Sequence, residues 1–230
     1  MLDFLKQNGI YIFVAVGLLA GVPVVWIHRE RAGIRSVFRV VLLCLIYSVS
    51  SLISAMLFAD IEGWISGGLG GRISTYGIYL IGPFLLILLS KVLRINTAGV
   101  LDIFALYAMP SMFFMRCDCL ISGCCDGLPI FDTGLQWPSR ETEMIFYVVM
   151  FVILWRKLKK NEIPGQLLPL LMVSYGCFRF INQWFRDTGT TGLDMSHGWS
   201  VLCAFIGLSL LLEFRGQAAK KARKNLIKRK

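Results

Sequence analysis

The chain has 230 residues, 56% of them hydrophobic and only 17% charged, with a mean hydropathy of +0.66. A soluble domain of this length could not turn so much apolar surface inward, so the composition excludes one and leaves an integral membrane protein. The net charge of +10 would suggest nucleic acid in a soluble chain, but here the basic residues alternate with apolar blocks and no RNA- or DNA-binding motif is present.

In chain order, the apolar blocks predict seven spans, at about 8–27, 37–58, 75–93, 98–115, 143–158, 166–184 and 197–214. A bilayer-crossing helix needs ~20 mostly apolar residues. The first block ends in His28-Arg29-Glu30-Arg31 rather than in a small-residue cleavage site, and no basic run precedes it, so it reads as a span and not as a signal peptide. No internal repeat or low-complexity linker interrupts the series. The expectation is an all-α polytopic bundle forming one domain over 1–214, followed by a basic tail at 215–230.

Basic residues at the breaks orient the series. Arg29, Arg31, Arg35 and Arg39 follow span one, Lys91 and Arg94 follow span three, and Arg156, Lys157, Lys159 and Lys160 follow span five. With the eight in the tail, eighteen of the 24 Lys and Arg fall on one side. The positive-inside rule makes that side cytoplasmic and puts the amino terminus outside. The tail is expected to lie against anionic headgroups. The longer outer loops, about 59–74, 116–142 and 185–196, hold most of the Gly, Pro and Cys and are where function is expected.

Ionisable groups within spans are costly and mark function. Arg116 closes span four, Glu143 opens span five, Arg179 lies inside span six, and the orientation above brings all three to the outer leaflet. Arg116, Arg140 and Arg179 also admit a plainer reading, as snorkelling headgroup anchors, and Glu143 as a simple partner for an arginine. Asp102, near the inner start of span four, reads as an acid at the positive end of its own helix. Guanidinium groups gathered at headgroup depth make an anion site, because their forks match phosphate oxygens. The substrate class implied is an anionic lipid.

The stretch Arg116-Cys117-Asp118-Cys119-Leu120-Ile121-Ser122-Gly123-Cys124-Cys125-Asp126-Gly127 admits three readings: a metal site, a disulfide, or small residues packing a tight turn. C-x-C and C-C stand in one stretch, with His197 the only distant outer candidate, so no metal ligand set is assigned and no cofactor is expected. The glycine-rich run Ser66-Gly67-Gly68-Leu69-Gly70-Gly71 before Arg72 lacks the pattern of a nucleotide site and reads as a flexible loop.

Taken together, these segments resemble the prolipoprotein diacylglyceryl transferase family over about residues 60–214. Arg116 with Gly123-Cys124-Cys125-Asp126-Gly127 is similar to the family's signature loop. Pro138-Ser139-Arg140-Glu141-Thr142-Glu143 resembles its P-S-x-L-Y-E segment, and Tyr175 to Arg186 resembles Y-G-x-x-R-F-x-x-E-F-x-R. Tyr76-Gly77 falls where the family has H-G-G opening a span. Four polar positions depart from the pattern: Tyr76 stands for the histidine, Cys119 for the usual Asn, Cys124 for an acid and Gln183 for a glutamate.

The resemblance implies a bacterial cytoplasmic-membrane enzyme that moves a diacylglyceryl group from phosphatidylglycerol to the lipobox cysteine of a secreted precursor. It implies catalytic roles for Tyr76, Glu143 and Arg179. It implies substrate binding by Arg116, Cys119, Gly123, Gly127, Tyr175, Gln183 and Arg186. A transferase with another acceptor, or a non-catalytic protein of the same fold that binds an anionic lipid or a partner, satisfies the same residues.

Overall fold

The computed structural model describes residues 2–67, 73–130, 135–160, 163–187 and 192–227. Among them are eight α-helices: α1 Leu2–His28, α2 Val37–Ser66, α3 Thr75–Leu80, α4 Gly82–Val92, α5 Thr97–Ser122, α6 Ser139–Lys159, α7 Leu167–Gln183 and α8 Met195–Ile227. A short 3-10 turn, Arg29–Ala32, follows α1. The only extended pairing among the described residues is two isolated bridges, Gly127 with Arg186 and Pro129 with Gln136. The architecture is the all-α membrane bundle that the apolar blocks predict.

Every predicted span falls on helix, but the spans are not alike. Tyr11–Ala32, Val37–Ser66, Thr97–Ser122 and Met195–Gln217 are long and apolar enough to cross a membrane. Predicted span three is broken at Ile81 into α3 and α4. Pro83 has no N–H to give the Tyr79 carbonyl and restrains the residue before it. α6 carries Arg140, Glu141 and Glu143 in its first turns and Arg156, Lys157 and Lys159 in its last, and α7 is 17 residues long with Arg179 inside it. The spans that fall short by length or composition therefore include the two that carry Glu143 and Arg179. α5 runs past its expected end at 115 because nothing in Arg116–Ser122 breaks a helix, and Gly123, with φ +69°, terminates it.

Helices in lipid pack by close approach rather than by hydrophobic exclusion, and small residues permit it. α1 lies along α5 at Gly21, where an added methyl would stand 2.4 Å from the Tyr107 ring. α3 sits on α2 at Gly77, where it would stand 2.0 Å from the Ser54 carbonyl oxygen. α7 meets α8 at Gly176, 2.5 Å from the Ser200 carbonyl oxygen.

One end of the bundle is tied by Asp102, which is fully buried. Its carboxylate accepts hydrogen bonds from the backbone N–H of Gly165 (2.9 Å) and Leu167 (3.0 Å) and pairs with Arg31 (3.0 Å). The acid thus serves the positive end of α7, not of its own helix as the sequence suggests. Asn96 joins the same end, donating from its side chain to the Arg31 carbonyl (3.1 Å) and from its backbone to that of Ala32 (3.2 Å). An added methyl on Gly165 would lie 3.0 Å from the Phe214 ring of α8. The breaks that hold the basic residues are therefore gathered at one end. Residues 68–72 of the glycine-rich run lie outside the described residues. α8 continues through 215 to Ile227, so the stretch expected as a tail begins as helix.

Removing Asp102 takes away the carboxylate that pairs with Arg31 and leaves two backbone donors at the start of α7 without an acceptor. Asp102→Ala is expected to cost about 3 kcal/mol, read as a lower unfolding temperature of the detergent-solubilised protein by intrinsic tryptophan fluorescence.

Candidate functional site

Fourteen residues along α5 from Asp102, ~21 Å at the α-helical rise of 1.5 Å per residue, stands Arg116. It faces Glu143 in the first turns of α6 and Arg179 in the last turns of α7. Glu143 is 2% exposed, and its two carboxylate oxygens take one arginine each. Oε2 pairs with the Nε of Arg116, and Oε1 with an Nη of Arg179. The arginine side chains are themselves only 13% and 7% exposed. This excludes the reading of Arg116 and Arg179 as snorkelling anchors, which need their charged ends in the headgroup layer. Two guanidinium groups and one carboxylate leave a net charge of +1 in the wall.

Asn182, one turn beyond Arg179, secures the arrangement. Its amide donates to Glu143 Oε1 (3.4 Å) and to the Ser139 carbonyl (3.3 Å), and its carbonyl oxygen accepts from the Thr142 hydroxyl (3.1 Å). The start of α6 and the end of α7 are thereby held in register. Sequence reasoning passed over Asn182. Its signal is its spacing, three residues after a buried arginine on the same helical face.

Arg116 and Arg179 line a cavity of about 300 Å³ together with Tyr76, Cys119, Tyr175 and Arg186. Six of the ten residues expected in the site thus share one space. Glu62, Ser74, Thr75, Cys125, Tyr147 and Ser196 complete its polar lining and were not assigned roles in advance. Glu62 is visible in hindsight as one of two acids, with Asp60, in the mostly apolar Leu57–Ile65 stretch. The Tyr76 hydroxyl donates to the Ser196 carbonyl (2.9 Å) and lies 2.7 Å from the Ser200 hydroxyl. Arg179 Nε and the Tyr175 hydroxyl are buried without a hydrogen-bond partner among the described residues. Ile73, Met112 and Met115 belong both to this cavity and to an apolar groove of about 190 Å³ along Leu18, Leu52, Ala55 and Ala108. A cationic wall that opens onto an apolar slot suits an amphiphile whose polar end is an anion.

Gly123, Gly127, Gln183 and Glu143 do not line the cavity. Gly123 ends α5 and turns the chain back. Gly127 bridges to Arg186, and an added methyl there would stand 2.1 Å from the Trp137 carbonyl oxygen, so its role is to let two backbones meet. Arg140, expected as a headgroup anchor, instead clamps this loop. It donates to the carbonyls of Cys119 and Cys124, each at 3.2 Å, and pairs with Asp126 at 2.6 Å. Gln183 donates to Asp194 (2.5 Å), whose other oxygen is 2.8 Å from His197 Nδ1. Burial works to raise the Asp194 carboxyl, but the bonds from Gln183 and His197 outweigh it and hold it below the usual carboxylate range. A hydrogen bond from Cys119 depresses the Cys125 thiol against the effect of burial, with Arg186 and Arg116 adding to the shift.

Truncating Glu143 leaves two buried cations facing each other. Glu143→Ala is expected to cost about 3–5 kcal/mol of stability. Gly127→Ala should instead leave the helices folded and disturb the loop. Thermal unfolding compared with proteolysis of the 123–139 segment distinguishes the two.

A family model described as prolipoprotein diacylglyceryl transferase matches residues 11–213. The chain is 33% identical over 94 residues to a phosphatidylglycerol–prolipoprotein diacylglyceryl transferase of Paracidovorax citrulli (strain AAC00-1), a stretch covering 37% of this chain and 35% of the relative. It is 39% identical over 75 residues to the protein of the same name from Chlorobaculum tepidum, covering 30% and 26% respectively. The aligned part of the chain thus spans about a third or less of the length of these relatives.

Proposed function

The chain belongs to the prolipoprotein diacylglyceryl transferase family, and on that premise we propose that it moves a diacylglyceryl group from phosphatidylglycerol to a cysteine thiol of a prolipoprotein. The observation that carries the reading is the pair Arg116–Arg179, held by one carboxylate at the wall of a cavity that opens onto an apolar groove. The thiolate attacks the glyceryl carbon, the bond from that carbon to the phosphate oxygen breaks, and glycerol phosphate departs. Charge grows on the departing phosphate, where preorganised cations stabilise it most. In this reading Arg116 and Arg179 meet the phosphate, and the unpartnered Arg179 Nε and Tyr175 hydroxyl are donors ready for its oxygens. Arg186 adds a third cation at the rim, and Tyr76 orients the headgroup. Glu143 fixes the arginines rather than accepting a proton.

One observation favours a second reading, lipid binding without transfer. Glu143 is committed to two arginines, and Tyr76 carries a phenol, ordinarily near ~10, that already donates to Ser196. Neither is a ready base for a thiol at neutral pH.

The proposed setting is the bacterial cytoplasmic membrane, with the amino terminus and the cavity outside and the basic end in the cytoplasm. Eighteen of the 24 basic residues on one side support it. Reporter fusions after Gly127 should read outside and after Lys160 inside. The reverse pattern would overturn the orientation.

Transfer is tested with purified protein, radiolabelled phosphatidylglycerol and a lipobox peptide. Labelled peptide should form, and Arg116→Ala, with its unfolding profile intact, should lower the rate by ~10²–10³-fold. Retained lipid binding with no transfer to any thiol peptide would favour the second reading.

A further inference from the structure

Seven cysteines are present and all are free thiols. Four of them stand apart or face elsewhere: Cys44 and Cys203 are buried among apolar side chains, Cys177 is on the exposed face of α7, and Cys117 is two residues from Cys119 and so on another side of α5. The other three converge. The sulfur atoms of Cys119, Cys124 and Cys125 all lie within 4.8 Å of one another.

The convergence has a cause in the chain. Gly123 at φ +69° and Cys125 at φ +65° are both left-handed, so the segment that follows α5 folds back over its last turn. Arg140 holds the folded-back strand by bonding the carbonyls of Cys119 and Cys124 together. A non-glycine residue in the left-handed region is uncommon, and here it aims the third sulfur at the other two.

We propose that Cys119, Cys124 and Cys125 form a binding site for one thiophilic d¹⁰ cation, Zn²⁺ or Cu⁺. The ligand set is sulfur only, which suits soft cations rather than Mg²⁺ or Ca²⁺. With metal–sulfur bonds of ~2.3 Å, three sulfurs in a plane around the ion stand ~4 Å apart, and the three sulfurs here lie within 4.8 Å of one another. Arg116 donates to Cys119 Sγ at 3.7 Å and offsets the negative charge that three thiolates leave around a divalent ion. Cys124 is exposed, which gives the ion a path in, and Cys119 and Cys125 line the arginine cavity, so the ion sits at its rim. A disulfide would use two sulfurs and leave the third without a reason to converge. The site does not depend on the transferase reading.

The test uses the full-length protein, purified in detergent under anaerobic, reducing conditions. Zn²⁺ is titrated against a competing chromophoric chelator and Cu⁺ against a Cu⁺-selective one, with metal content after desalting measured by mass spectrometry. Absorption of the Cd²⁺ form reports thiolate-to-metal charge transfer. The expected result is one ion per chain, with affinity reduced at least tenfold in Cys119→Ser, Cys124→Ser and Cys125→Ser and unchanged in Cys177→Ser. The exposed position of Cys124 keeps its variant informative if the others fail to fold. Three results overturn the proposal: neither ion retained, Cys124→Ser and Cys125→Ser binding like the parent, or an intact mass 2 Da low in protein isolated without added oxidant, which would mark a disulfide.

Discussion

A single carboxylate organises the polar end of this bundle. Each buried cation within a membrane costs several kcal/mol unless it is paired, and here two of them come from different helices. Glu143 answers both, one oxygen to Arg116 of α5 and one to Arg179 of α7, from its own place on α6. The three helices that form the wall are thus joined at one point. Asn182 and Thr142 then fix the rotation of α7 against α6. What remains after the pairing is one uncancelled positive charge, held where water is scarce and directed at the cavity.

The departures from the family's pattern look different once their partners are known. Gln183 cannot ionise, yet it is bonded to Asp194, which can. A carboxylate therefore stands one hydrogen bond from the Gln183 amide. Tyr76 stands where the pattern has histidine, and its ring is longer, so its hydroxyl reaches across to Ser196 and Ser200 of α8. The edge-on packing of Tyr76 against Tyr175, 6.0 Å between centroids, keeps it at the cavity wall. Cys119 and Cys124 replace hydrogen-bonding groups with sulfur, and both fall in the thiol cluster. Three of the four changes therefore sit at or beside the cavity, while the two arginines that carry its charge are kept.

How much of this was legible in the sequence follows from what kind of signal each part carries. Apolar blocks and basic breaks are local, and they located every helix and the end at which Asp102 ties them. Arg179 and Glu143 were legible because charge in an apolar run is conspicuous whatever surrounds it. The break at Ile81 and the extension of α5 to Ser122 were not, because hydropathy does not register where a backbone hydrogen bond is missing or still present. The partner of Asp102 was hidden for another reason. A carboxylate near a helix start suits the dipole of its own helix or of a neighbour equally well, and only the tertiary contact with Gly165 and Leu167 decides. Asn182, Glu62 and the convergence of the three sulfurs depend likewise on contacts between segments.

The tie at Asp102 has a mechanical consequence. It joins α5, the start of α7 and the turn after α1 at one end, while Arg116 lies ~21 Å further along α5. The same two helices are tied again at the cavity, where Glu143 takes Arg116 of one and Arg179 of the other. Fastened at both ends, α5 and α7 act as a beam on two supports: neither can tilt without straining one of its ties, and the spacing of the two guanidinium groups is kept.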